Sequence, residues 1–469
     1  MAPAHGDRPR ETVLLGVFTG ECLAWIAIIL TARTILCSTL LALCTASGVS
    51  RADPKREVPD YDGRGNPDAD ADSWLLWIPR IVLSPLYVAN EYVLRRPLGA
   101  VVQHAERERW ADTVVDWFTF GENRQHLIVP TALYDFGLLP CVGFYYSGDD
   151  VFASGNQLRL HAATWGPRWI NATAADRYAI DKSDRVQVRF EFKRSEDNLF
   201  FGIGPDVVRD ARSRYGLERT EGSLAYRGQL TAAARLDVES GVHRIAFVEG
   251  ECCGDPSLDA QIAAGAVMPP PGYRAPYTAG YLRVAVTRDT RRPRPEPGGG
   301  TYLSLQARPS FDLGGGRSWI QYGGVAGGAV DLTGHRRTLR LQLALDFVDA
   351  MSDDRIPFTE YPVLGGEGMP GFLPGWLTGR SAAAAQVGYT WPVWLGVDAQ
   401  TRLTIGNAFG EHLDGFGLDK LRVSGDVGFT TSTAYDQGLE LLFGLGTDTF
   451  DRGGGVTSVR VSIGTRRGF

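Results

Sequence analysis

The sequence predicts an all-β protein: a transmembrane antiparallel β-barrel of about sixteen strands behind a short helical N-terminal segment. Three observations predict it. Runs of roughly ten residues alternate apolar and polar side chains, the period of two that sends successive side chains of a strand to opposite faces. One parity of these runs keeps accepting charge while the other excludes it. A water-filled lumen behind a lipid-facing surface produces that asymmetry, because a lipid-facing charge costs roughly 2 to 4 kcal/mol at the bilayer midplane. Finally, the runs recur from about residue 127 to the end of the chain.

Length and charge narrow the function classes. A chain of 469 residues accommodates one large barrel as readily as about three average domains. A net charge of −6 without any basic tract argues against a nucleic-acid binder. Of the cysteines, Cys22, Cys37 and Cys44 lie in an apolar leader, leaving Cys141, Cys252 and Cys253. No Cys/His spacing suits zinc. The adjacent pair Cys252-Cys253 forms a vicinal disulfide or bridges to another loop, if it pairs at all.

Taken in order, residues 1–52 read as a signal peptide: Leu23 to Ala46 is mostly apolar but interrupted by Arg33, and Ser50-Arg-Ala52 offers small residues for cleavage. Leu43 is too large to precede the cysteine of a lipoprotein signal. Residues 53–73, with Pro54, Pro59, Gly63, Gly65 and Pro67, read as a flexible linker. Residues 74–121 read as amphipathic helix broken at Pro85 and Pro97, with Trp110, Val114 and Trp117 on the second piece. Such a segment lies against a leaflet, closes the barrel mouth, or simply packs on the first turns.

From 122 to 469 the chain reads as barrel. The expected strands start near 127, 139, 155, 168, 185, 221, 242, 276, 301, 317, 336, 381, 397, 420, 437 and 455. Val186, Val188, Phe190 and Phe192 alternate with Gln187, Arg189, Glu191 and Lys193. Leu339, Leu341, Leu343, Leu345 and Phe347 alternate with Arg340, Gln342, Ala344 and Asp346. Ala382 to Ala385 favours helix by propensity, yet stands where a strand is expected.

Between the eleventh and twelfth strands lies Tyr361-Pro-Val-Leu-Gly-Gly-Glu-Gly-Met-Pro-Gly-Phe372, followed by a strand ending Val387-Gly-Tyr-Thr-Trp-Pro392. This resembles the sixth loop and next strand of the outer-membrane assembly-factor superfamily, the BamA/TamA proteins and bacterial surface antigens. Gly365, Gly366, Gly371, Phe372, Tyr389, Trp391 and Pro392 match. The family's loop-tip arginine is replaced by Pro370, its strand glutamate by Gly388 and its next-strand aspartate by Thr404. Removing a whole semi-buried charge set is less costly than removing one member. The loop is therefore expected to turn inward without that ion pair. Asn198-Leu-Phe-Phe-Gly-Ile-Gly-Pro205 resembles the family's Phe-x-Gly-x-Gly run, and Phe469 resembles its C-terminal barrel signal.

The resemblance implies the outer membrane of a Gram-negative bacterium. It also implies lipid, other outer-membrane proteins and the barrel assembly machinery as partners, with residues 74–121 in the periplasm. The POTRA repeats of the family find no room ahead of the barrel. Family function would be assistance of protein or lipid insertion or export, through a weak seam that Gly464 and Gly468 loosen; the alternatives are a passive pore or structural barrel, and a lipid-cleaving barrel enzyme.

Enzymatic chemistry, cofactors and metals are not expected. Gly366-Glu-Gly-Met-Pro-Gly371 fits G-x-G-x-x-G, but Pro370 and Pro374 disrupt any following helix. His5, His104, His126, His161, His243, His335 and His412 show no metal-ligand spacing. Asp353 and Asp354 read as solvated loop acids.

Overall fold

The computed structural model describes His104 and residues 107–467, apart from 182, 293–297, 333–336, 353–354, 395–396 and 432–436. Sixteen long strands run antiparallel to their neighbours in chain order: β1 (His126–Asp135), β2 (Cys141–Asp149), β3 (Asn156–Thr164), β4 (Trp169–Ala179), β5 (Arg185–Phe200), β6 (Ser213–Thr231), β7 (Ala234–Val248), β8 (Tyr277–Asp289), β9 (Gly300–Asp312), β10 (Ser318–Asp331), β11 (Thr338–Ala350), β12 (Ser381–Trp394), β13 (Val397–Phe409), β14 (Arg422–Thr431), β15 (Gln437–Thr447) and β16 (Val456–Arg467). β16 pairs with β1, so the sheet closes.

Alternation sets the two faces. Leu339, Leu341, Leu343 and Leu345 of β11 face outward and exposed, as do Leu303 and Leu305 on β9 and Leu439, Leu441 and Phe443 on β15. The opposite parity points inward and is polar: Thr404, Ser424, Asp426, Ser458, Arg460 and Ser462 are all buried. An apolar exterior around a polar interior inverts the arrangement of a soluble barrel and suits a hydrocarbon surround.

The two ends differ. Turns at the end where the chain enters and leaves are short, down to 232–233 between β6 and β7. At the other end the connections 201–212, 249–276, 351–380 and 410–421 are long, and they pack on one another.

Fourteen strands begin within two residues of expectation; β6 and β7 each begin eight residues earlier. The first turns of β6 rise beyond the apolar band, where both faces meet protein or water and alternation lapses. Glu218 pairs there with Arg194 of β5, and Arg214, fully buried, bonds to Asp255 of the 249–276 loop. In β7 the strand runs on through Ser240-Gly241, upstream of the expected start; a Cβ at Gly241 would sit 2.7 Å from the Tyr281 ring, which fills that space. Ala382 to Ala385 is strand, paired on both sides, so tertiary pairing overrides propensity.

Of the expected helical segment, the described part forms α1 (Trp110–Phe118). Thr119–Phe120, expected as helix, is instead extended and pairs with Leu127 and His126 of β1, satisfying main-chain groups on a strand edge. The second helix, α2 (Leu258–Ala263), lies in the 249–276 loop and is capped by Ser257, whose hydroxyl accepts from the Ala260 amide. In the same loop Cys252 is disulfide-bonded to Cys253.

Candidate functional site: the inward loop and the seam

The loop 351–380 turns into the lumen. Leu364, Met369, Phe372, Leu373, Trp376 and Leu377 form a buried apolar cluster with Leu199, Phe201 and Val207. Glycine makes the approach possible. A Cβ at Gly371 would lie 2.1 Å from the Leu445 carbonyl oxygen, and one at Gly446 would lie 2.6 Å from the Phe372 ring. Gly366 takes φ +94°, and its amide donates to the Phe372 carbonyl at 2.8 Å, closing the tip on itself. Gly365 is equally confined, its would-be Cβ 2.2 Å from the Leu373 carbonyl oxygen.

The two motif regions meet. The Phe201 ring stacks on Trp376 at 4.1 Å, the Gly204 amide donates to the Thr378 carbonyl at 2.9 Å, and Asn407 donates to the Pro205 carbonyl at 3.1 Å. Phe469 and Gly468 lie outside the described residues, as do Asp353, Asp354, His5 and His335.

At the base of the loop, Glu360 is buried. It accepts from Tyr277 at 2.6 Å and lies 3.0 Å from His243 Nε2. Arg308 lies 3.9 Å from its other oxygen. Burial alone would push this carboxyl up; the hydrogen bond and charge of His243, with Arg308 and Tyr277, hold it down at about 2. Beside this anchor lies a polar cavity of about 560 Å³, lined among others by Arg189, Lys193, Glu221, Arg283, Arg308 and Asp346.

The positions where the resembled motif would carry charges are neutral here. Thr404 accepts from Gln386 at 3.0 Å, Gly388 lies opposite Arg402, and Pro370 offers a carbonyl. The cation comes instead from the wall. Arg460 of β16 chelates Asp135 of β1, Nε to Oδ2 at 2.9 Å and Nη2 to Oδ2 at 2.6 Å. Its Nη1 donates to the carbonyls of Gly366 at 3.0 Å and Pro370 at 3.4 Å. Sequence alternation places Arg460 on the polar parity, but nothing local marks Asp135 as its partner.

That pair spans the weakest junction of the barrel. β16 meets β1 at three register pairs, Ser462↔Asp135, Ile463↔Tyr134 and Gly464↔Leu133. Gly464 adopts φ +151°, and a Cβ there would lie 2.1 Å from the Ala132 carbonyl oxygen. Beyond it the strands part. Among the described residues, Ile128–Thr131 of β1 has no strand partner on that side.

Of the other described histidines, His126 hydrogen-bonds Tyr146 and His161 hydrogen-bonds Thr131. His412 groups with Asp349 and Glu411 at the rim, where Arg380 already supplies a cation 2.6 Å from Glu411.

Comparison with known proteins places this geometry. No family model matches the chain, and no curated protein matches it. Among solved structures, BamA from Haemophilus ducreyi lacking POTRA domains 1–3 aligns at TM-score 0.52 and 12% identity, over 73% of this chain and 70% of that one. The barrel shares the fold of BamA. CdiB from Escherichia coli aligns at TM-score 0.47 and 10% identity, and CdiB from Acinetobacter baumannii at 0.45 and 10%. Each of these covers 72% of this chain, which spans 62% and 59% of the respective CdiB chains.

Proposed function

We propose that the chain is an outer-membrane β-barrel of a Gram-negative bacterium that assists insertion or export of membrane proteins or lipids, working at the seam between β16 and β1. The observation that carries this reading is the thinness of the seam. Among the described residues it has three register pairs, against seven at the next shortest junction, β14–β15, and fifteen between β6 and β7.

A strand edge with unmet N–H and C=O groups is a template for adding another strand. Among the described residues, the edge of β1 below Leu133 is such a template, covered at His126 and Leu127 by Thr119–Phe120 and met at the Ala132 carbonyl by the Thr465 hydroxyl. The partners on this reading are outer-membrane lipid and the strands of other barrels, with the barrel assembly machinery folding the protein itself. Its action is strand pairing and membrane disturbance, without bond-breaking chemistry, cofactor or metal. The passive-pore reading is disfavoured by the apolar cluster that the loop builds inside the barrel.

The test is the folding of a second, unrelated barrel protein into liposomes containing purified protein, beside planar-bilayer recordings of the same sample. Faster client folding with little steady conductance is expected. Steady conductance without faster folding would replace this reading with a pore.

A further inference from the structure

We propose that Arg460 is a latch coupling the seated loop tip to the closed seam, so that β16 and β1 separate only when the tip of the 351–380 loop leaves the wall. This deepens the reading of the seam as the working site and rests on it.

One rigid group spans three elements. A guanidinium carries five N–H donors in a fixed planar fork. In Arg460, Nε and Nη2 engage Asp135 on β1, while Nη1 engages the carbonyls of Gly366 and Pro370 in the loop tip; the residue itself belongs to β16. Both charged partners are buried, Arg460 at 5% and Asp135 at 6% exposure. A buried ion pair is tolerated when its remaining donors are satisfied, and it is costly to leave half-made. The loop tip supplies that satisfaction. If the tip withdraws, Nη1 loses both carbonyls; if the seam opens, the carboxylate is lost and the tip holds an uncompensated cation. Either event destabilises the other partner's arrangement, which is what coupling requires.

The backbone is shaped for this contact. A Cβ at Gly444, opposite Arg460, would lie 2.9 Å from the Pro370 carbonyl oxygen and 2.9 Å from Gly371 Cα, so a bare strand lets the tip carbonyls reach the guanidinium. With proline at 370, the tip contributes acceptors and the wall contributes the charge. A second anchor acts on the tip alone: the Gly371 amide donates to Ser424 Oγ of β14 at 2.7 Å.

Hydrogen–deuterium exchange of the full chain in liposomes tests the coupling, with peptides covering 133–138 and 456–464 reporting the seam and 366–373 the tip. Arg460→Gln and Asp135→Asn are expected to speed exchange in seam and tip together, on the order of tenfold or more, as loss of one member of a buried pair implies. Ser424→Ala, which touches the tip and not the seam, is expected to speed both in step. It decides the matter even where Arg460→Gln fails to fold. A faster tip with a seam at the wild-type rate in Ser424→Ala overturns the latch. The same proteins, assayed for client folding, separate the two claims. Coupled exchange without client acceleration leaves the latch standing and removes the assembly function; acceleration with uncoupled exchange does the reverse.

Discussion

Phe372 and Glu360 hold the two ends of the inward loop by different physics. Phe372 is fully buried, edge-on to Trp376 with ring centroids 5.5 Å apart and pressed on the bare backbone of Gly446. Phe372→Ala is expected to destabilise the folded barrel by roughly 3 to 5 kcal/mol, since truncating a buried aromatic loses transfer energy and leaves a cavity. Urea unfolding in micelles measures it, and an unchanged midpoint would mean the cluster is dispensable. Glu360 acts through charge. Its carboxyl, held at about 2 against an ordinary 4.5, binds fewer protons in the folded state than in the unfolded one. Its contribution is therefore complete above about 4.5 and is lost as pH falls from there through about 2. Glu360→Gln is expected to flatten the fall in unfolding midpoint across that window, and a titration of midpoint against pH for both proteins reads it.

Among elements, the barrel owes its closure to unequal junctions. β6 and β7 are stitched over fifteen register pairs, whereas β16 and β1 share three and an ion pair. Exchange protection should follow: amides of β6–β7 are expected to exchange slowest, and those of Leu133–Phe136 and Val461–Gly464 among the fastest of the strand amides. Uniform protection around the barrel would contradict a weak seam. Thr119–Phe120 is a modest cover for the β1 edge. Replacing Thr119 with proline removes a donor and a ladder position, so faster exchange at His126 and Leu127 is the expected result, with β5–β9 unchanged.

At the scale of the whole molecule, the inward loop 351–380 and the long loops packed on it are expected to obstruct the lumen. Excising residues 362–378 in favour of a short Gly/Ser linker is expected to raise steady conductance in planar bilayers well above that of the intact protein. Equal conductance would mean that the loop does not obstruct the lumen.

Much of this architecture was legible in the chain, because strand alternation is local: Leu339 to Leu345 announce their outward face without any partner. The inward turn of the loop was suggested in the sequence only by the resemblance of Gly365, Gly366, Gly371 and Phe372 to a family motif. The staple between Asp135 and Arg460 was not, because it joins residues 325 apart whose meeting depends on barrel closure and register. Nor did the sequence show His243 beneath Glu360, a pairing that exists only once the loop has entered the lumen.

The central claim is that the protein works by opening between β16 and β1. The most direct measurement uses Tyr134→Cys with Ile463→Cys, a register pair across the seam at a spacing an antiparallel ladder allows a disulfide to bridge. Client folding into liposomes is followed with the bridge oxidised and then reduced. The account predicts that oxidation abolishes the acceleration and reduction restores it; acceleration that is the same in both states would contradict it.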